Sequence, residues 1–211
     1  DVEVHVWGPP SPVQSLSERI STYMSPPLFP VRVADIPCNL TFHDAPLEPI
    51  QIGGLTVRAS LVTHQGPTVG YRVEENGRSV VYLPDHEPGV AGLDLRLQPT
   101  DWISGHDLAH HADVLLHDAQ YGDEEYPRHV GWGHSAIGHV VAFAQKAEVD
   151  NLVLFHHDPY HTDAELESLN DDACRAWGPD GKVCVSSAWE GMSIDITRDG
   201  ISIDVVPLAI A

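Results

Sequence analysis

Apolar positions recur along this chain with two periods. Short runs with alternating or continuous apolar residues, bounded by Gly, Pro, Asn and Asp, predict strands at Val2–Trp7, Leu55–Thr63, Thr68–Val73, Ser79–Leu83, Asp113–His117, Leu152–His156, Val183–Ser186, Ser193–Ile196 and Ile201–Val206. The turn Glu75-Asn76-Gly77-Arg78 joins two of these runs, and Asn-Gly accepts the positive φ of a tight turn, so Thr68–Leu83 reads as a hairpin. Helical spacing is rarer. After Ser135, read as an N-cap, Ile137, Val140, Val141 and Ala144 fall on one face of a helix reaching about Ala147. Thr162 opens another, with Asp163 and Glu165 in its first turn and Leu166, Leu169, Ala173 and Trp177 repeating before Gly178-Pro179. A third helix is predicted over Pro12–Tyr23. The segment Ser25–Pro49, with six prolines, reads as an irregular loop. Strands mixed with helices predict a layered α/β or α+β domain.

The 211 residues suffice for one domain with a buried core, and 42% hydrophobic residues is an ordinary globular balance. Eleven Lys and Arg against 31 Asp and Glu give a net charge of −20, which disfavours nucleic acid as a partner. The longest apolar runs, such as Leu152–Phe155, fall far short of the roughly 20 residues that span a bilayer. Cys38, Cys174 and Cys184 are too scattered for a disulfide framework, so a reducing, cytoplasmic setting is expected. Histidine is out of proportion: 14 of them exceed all the lysines and arginines. Imidazole is the commonest metal ligand and titrates near neutrality, so this excess points to chemistry.

The informative histidines and carboxylates sit at the ends of apolar runs, where a rigid strand presents them to a shared cleft. These are His64, Asp85-His86, His117-Asp118 with His134 downstream, and His156-His157-Asp158. Singly, each could cap a turn. Four successive strand ends carrying His or Asp form the mixed nitrogen and oxygen donor set of a dinuclear metal site.

The stretches THQGPTVGYRVEENGRSVVYLPD, ADVLLHDAQY, GWGHSAIGHVVAFA and LVLFHHDP resemble the C-terminal two thirds of the metallo-β-lactamase fold, and most of all its ribonuclease Z and phosphodiesterase branch. The resemblance runs from about Val2 to His161 and implies a single αββα-sandwich domain over 1–211, truncated at its N-terminus. It implies metal ligands His64, Asp85 and His156, with Asp85 bridging two cations and Pro84 standing where the family carries Gly. It also implies that His117-Asp118 replaces the family's His-Glu pair and that His134 faces the scissile phosphate, with Asp118 orienting it. A histidine beside a carboxylate is held in one tautomer and made more basic, which suits proton delivery to a leaving alkoxide. His157, Asp158 and His161 follow the last ligand and could orient it. His5, His43, His86, His106, His110, His111, His129 and His139 show no partner pattern and read mostly as surface residues.

The family's principal signature, His-x-His-x-Asp-His, does not occur in the sequence. The family places it just before a strand like Val2–Trp7. A fragment, a cleaved segment and a true loss are the alternatives, and a fragment is expected because Asp1 is not an initiation residue. With the full site, the resemblance implies two-metal hydrolysis of a small phosphodiester such as a cyclic nucleotide, with zinc first and manganese or iron also suited. The tight Asn-Gly hairpin replaces the long basic arm of the transfer-RNA processing enzymes. A lactone or ester hydrolase of the same fold is the runner-up, and a non-catalytic relic or interaction module the alternative from another class. A homodimer stays open. A Ser-His-Asp site is discounted, since Ser135 lies in no Gly-x-Ser-x-Gly elbow.

Overall fold

The computed structural model describes residues 2–89, 94–178 and 184–205. The ends of three predicted features, at Pro179, Val183 and Val206, lie outside them. Seven strands form one sheet in sequence order: β3 (Ile50–Ile52), β4 (Leu55–Leu61), β5 (Val69–Glu75), β6 (Arg78–Leu83), β7 (Val114–Asp118), β8 (Asn151–Phe155) and β9 (Cys184–Ser187). The first four pair antiparallel, and β6 to β9 pair parallel. Asn76 and Gly77 take φ of 52° and 78°, which closes the expected hairpin.

Parallel neighbours need crossovers. Between β6 and β7 the chain makes the short α2 (His106–Ala109), between β7 and β8 it makes α3 (Ile137–Lys146), and between β8 and β9 it makes α4 (Asp163–Trp177). One face of the sheet, with Val81, Leu83, Leu115, Leu152 and Leu154, packs against Ile137, Val140, Val141, Phe143 and Ala144 of α3, the stripe that the periodicity predicts. Phe143 is fully buried there, and its truncation to Ala removes about 3–5 kcal/mol. Thr162 caps α4 as expected, exchanging bonds with Glu165 in a capping box. The N-cap of α3 is Ala136 rather than Ser135.

The other face is half covered. Tyr82 is 38% exposed and meets Phe155 edge-on, while Tyr71 donates its hydroxyl to the Trp7 carbonyl at 3.0 Å. Trp7 belongs to β1 (Glu3–Gly8), which pairs in parallel with β2 (Asn39–Asp44) as a separate ribbon; α1 (Leu16–Tyr23) starts later than the predicted Pro12. The Ser25–Pro49 stretch therefore holds a strand where a loop is expected. Its pairing partner lies more than thirty residues upstream, so nothing local marks it. A hairpin of β10 (Met192–Ile196) and β11 (Ile201–Val205) closes the described chain. Among the described residues no helix is long and apolar enough to cross a membrane.

Candidate metal centre

The parallel strands β6, β7 and β8 all end at the same edge of the sheet, and their C-terminal ends carry Asp85, Asp118 and His156. In open α/β sheets that edge is where ligands gather. His134, on the loop leading into α3, joins them. Asp85, Asp118, His134 and His156 each offer a ligand atom, and those atoms lie within 4.8 Å of one another. The His156 Nε2 lies 3.6 Å from Asp85 Oδ1, and the His134 and His156 rings stack at 4.7 Å. His156 adopts a left-handed backbone, φ 58°, which is uncommon outside glycine and turns its imidazole back toward Asp85.

Asp118 is fully buried and saturated. It accepts from the backbone N–H of His86 (3.2 Å), Gln120 (3.2 Å) and Ser135 (3.1 Å), and from His134 Nδ1 at 2.6 Å. Its bond fixes the His134 tautomer, with the proton on Nδ1 and the lone pair on Nε2. Burial pulls the His134 pKa down, but the hydrogen bond and negative charge of Asp118 outweigh it and the net shift is upward.

His64 lies beside the cluster, its ring edge-on to His134 at 5.0 Å, and is not one of the four. Its Nδ1 meets the Gln65 carbonyl at 2.9 Å, so Nε2 keeps the lone pair. His117 is not brought to the cluster. Successive side chains alternate across a strand, so only one of His117 and Asp118 can face the cleft. His117 turns into the helix-side core, with its ring 5.0 Å from Phe143. There its Nδ1 donates to the Asp118 carbonyl at 2.7 Å, leaving Nε2 to accept from His86 Nδ1 at 3.0 Å. Burial depresses both pKa values, His86 most strongly, so this is a neutral imidazole pair. The surface reading of His86 and His106 is thus corrected: both are buried. Of the residues after the last ligand, His161 bonds Glu125 at 3.0 Å and His157 approaches the Ala188 carbonyl at 3.0 Å.

Sequence reasoning missed Glu87. Its carboxylate is 1% exposed and accepts from Tyr126 Oη (2.6 Å), Gly131 N (2.8 Å) and Gly133 N (2.7 Å). It thereby holds the loop that delivers His134. Gly133 has φ 95°, and a Cβ there would meet the His64 ring at 2.5 Å, so glycine serves both the turn and the close approach. Two glycines just before a histidine were the available signal; their acceptor, forty-odd residues upstream, left no mark.

A family model described as "Beta-lactamase superfamily domain" matches residues 1–157. The chain belongs to that family. Ribonuclease Z of Methanosarcina mazei is 35% identical over 99 residues, covering 45% of this chain and 27% of the relative. The metallo-β-lactamase fold protein YhfI of Bacillus subtilis superposes with a TM-score of 0.58 at 13% identity over 88% of this chain and 62% of that one. The short form of human tRNase Z does so with a TM-score of 0.52 at 19% identity, covering 89% and 66%. The chain thus spans about a quarter of the length of the curated relative and under two thirds of YhfI. The expected metallo-β-lactamase fold is borne out.

Proposed function

We propose that the chain carries the metal-binding and proton-delivering part of a metallo-β-lactamase-fold hydrolase that cleaves phosphodiesters. The observation that carries it is the convergence of Asp85, Asp118, His134 and His156 at one sheet edge. The donor set fits the proposed metal: Asp85 and His156 are about one-third exposed and accept no hydrogen bond among the described residues, a mixture that suits zinc, manganese or iron. Bound divalent ions supply charge neutralisation at phosphorus and activation of water. Asp85 and His156 would hold them, with His64 Nε2 adjoining. His134, its Nδ1 proton committed to Asp118, holds a second proton on Nε2 below its raised pKa and can pass it to the leaving oxygen. Asp118 keeps that imidazole aimed and offsets its positive charge.

The substrate class rests on likeness to proteins named ribonuclease Z, and that name also bears against excluding nucleic acid from the net charge. A small diester such as a cyclic nucleotide remains the preferred substrate, since the Asn-Gly turn leaves no room for a basic arm and the charge is −20. The test is a panel of bis-p-nitrophenyl phosphate, a cyclic dinucleotide, a single-stranded oligoribonucleotide and a lactone, each with Zn²⁺ or Mn²⁺ added. Diester turnover that vanishes in Asp85→Asn is expected. Rapid lactone opening without diester turnover overturns the substrate class, and oligoribonucleotide turnover alone overturns its size. No turnover and no bound metal in the protein extended upstream of Asp1 would make it a relic.

A further inference from the structure

At the opposite end of β7 and β8 lies a second group of ligating side chains. We propose that His110, His111 and Glu148 form a separate site for a borderline divalent transition-metal ion of the zinc class. Each offers a ligand atom, and those atoms lie within 4.8 Å of one another. The His110 and His111 rings are 3.9 Å apart by centroids, and His111 Nδ1 is 3.9 Å from Glu148 Oε2.

Adjacent side chains on an extended chain diverge, so two neighbouring imidazoles side by side need an unusual backbone. His111 supplies it with φ 52°, and Glu148, just past the end of α3, has φ 55°. Both loops are pinned around the pair. His111 N donates to the Ala147 carbonyl at 2.8 Å, and Asp150 N donates to the Ala112 carbonyl at 3.0 Å. His106, stacked on His110 at 5.4 Å with Nε2 3.3 Å from the Lys146 carbonyl, braces the pair from the buried side. The three donors are thus arranged by the fold before any ion arrives, which lowers the ordering entropy of binding.

Two imidazoles and one carboxylate select zinc, nickel or copper over magnesium and calcium, which demand oxygen cages. Three protein ligands leave a position for water, and the exposed side chains leave that position open. The strongly negative net charge raises the local concentration of cations. The strand from Val114 to Asp118 lies between the two, roughly 13 Å at strand rise, so the two centres are independent. An ion here would clip the turn before β7 to the turn before β8.

The test uses Zn²⁺ and Cu²⁺ alone as probes. In an Asp85→Asn, His156→Gln background, which empties the cluster at the other end, calorimetric titration is expected to find one Zn²⁺ per chain. Cu²⁺ resonance spectra are expected to show coupling to two imidazole nitrogens. Adding His111→Asn, which tolerates the left-handed backbone, should drop one nitrogen coupling and weaken Zn²⁺ binding by more than the roughly 10–100-fold that loss of an outer partner causes. Glu148→Gln should weaken binding while leaving both nitrogens coupled. No binding in the background variant, while circular dichroism shows it folded, overturns the proposal. So does binding that His110→Ala with His111→Asn leaves unchanged.

Discussion

The two carboxylates of the candidate centre are held in opposite ways. Asp118 sits at 0% exposure with three backbone N–H donors and one imidazole spending its lone pairs. Asp85 is about one-third exposed, with His156 at 3.6 Å and His134 also beside it. The first is built to position, the second to receive. A buried carboxylate whose oxygens are already committed orients its neighbours; an open one keeps the lone pairs that a cation needs.

This contrast can be broken by substitution. The largest effect is expected for Asp118→Ala, which strands three buried donors and His134 and should lower unfolding free energy by about 4 kcal/mol, read from urea denaturation. If it unfolds no more readily than Asp85→Asn, the division of labour is wrong. Next comes Glu87→Gln, which weakens the grip on Gly131 and Gly133. A loss of about 2 kcal/mol is expected, with diester turnover falling more than metal content, since His134 loosens while Asp85 and His156 stay. Metal analysis beside kinetics separates the two.

A third carboxylate, Asp113, sharpens the picture at the far end of β7. Burial pushes its pKa up, but hydrogen bonds from Arg78 and Ser79 prevail and the net shift is downward. A carboxylate with a depressed folded-state pKa contributes stability that is fully present above its unfolded value, near 3.9, and is lost as pH falls through the folded one. Acid unfolding of Asp113→Asn should therefore be flatter than that of the parent below about pH 4, as thermal melts across pH would show. The smallest stability effect belongs to Asp85→Asn, under about 0.5 kcal/mol, yet it should remove the metal held at the Asp85 and His156 end, read by mass spectrometry as metal lost relative to the parent.

How much of this was legible in the sequence depends on distance along the chain. Hairpin 68–83 and helix 162–177 follow from neighbours a few residues apart, Asn76-Gly77 and Thr162 with Glu165, and both form as read. Asp85 and His156 were legible because an apolar strand immediately precedes each. His86, Glu87 and Ser135 were not, because their partners lie 31 to 49 residues away and only burial gives those bonds their value. Strand β2 was hidden for the same reason, its parallel partner standing at Glu3–Gly8. The His117-Asp118 pair shows a subtler limit. The family resemblance implies that the two act together, whereas strand geometry sends their side chains to opposite faces of the sheet.

Arg78 reaches further than its place at the start of β6 suggests. One nitrogen grips Asp113 at 2.6 Å, while Nε and the other nitrogen take the carbonyls of Thr197 and Arg198 at 3.1 and 3.0 Å. That guanidinium therefore ties the turn of the β10–β11 ribbon to the sheet, beside a longer bond from Arg198 to Asn76 Oδ1 at 3.4 Å. Lysine would keep the charge but lose the fork, and a protease offered that variant should trim the ribbon while sparing the sheet behind it.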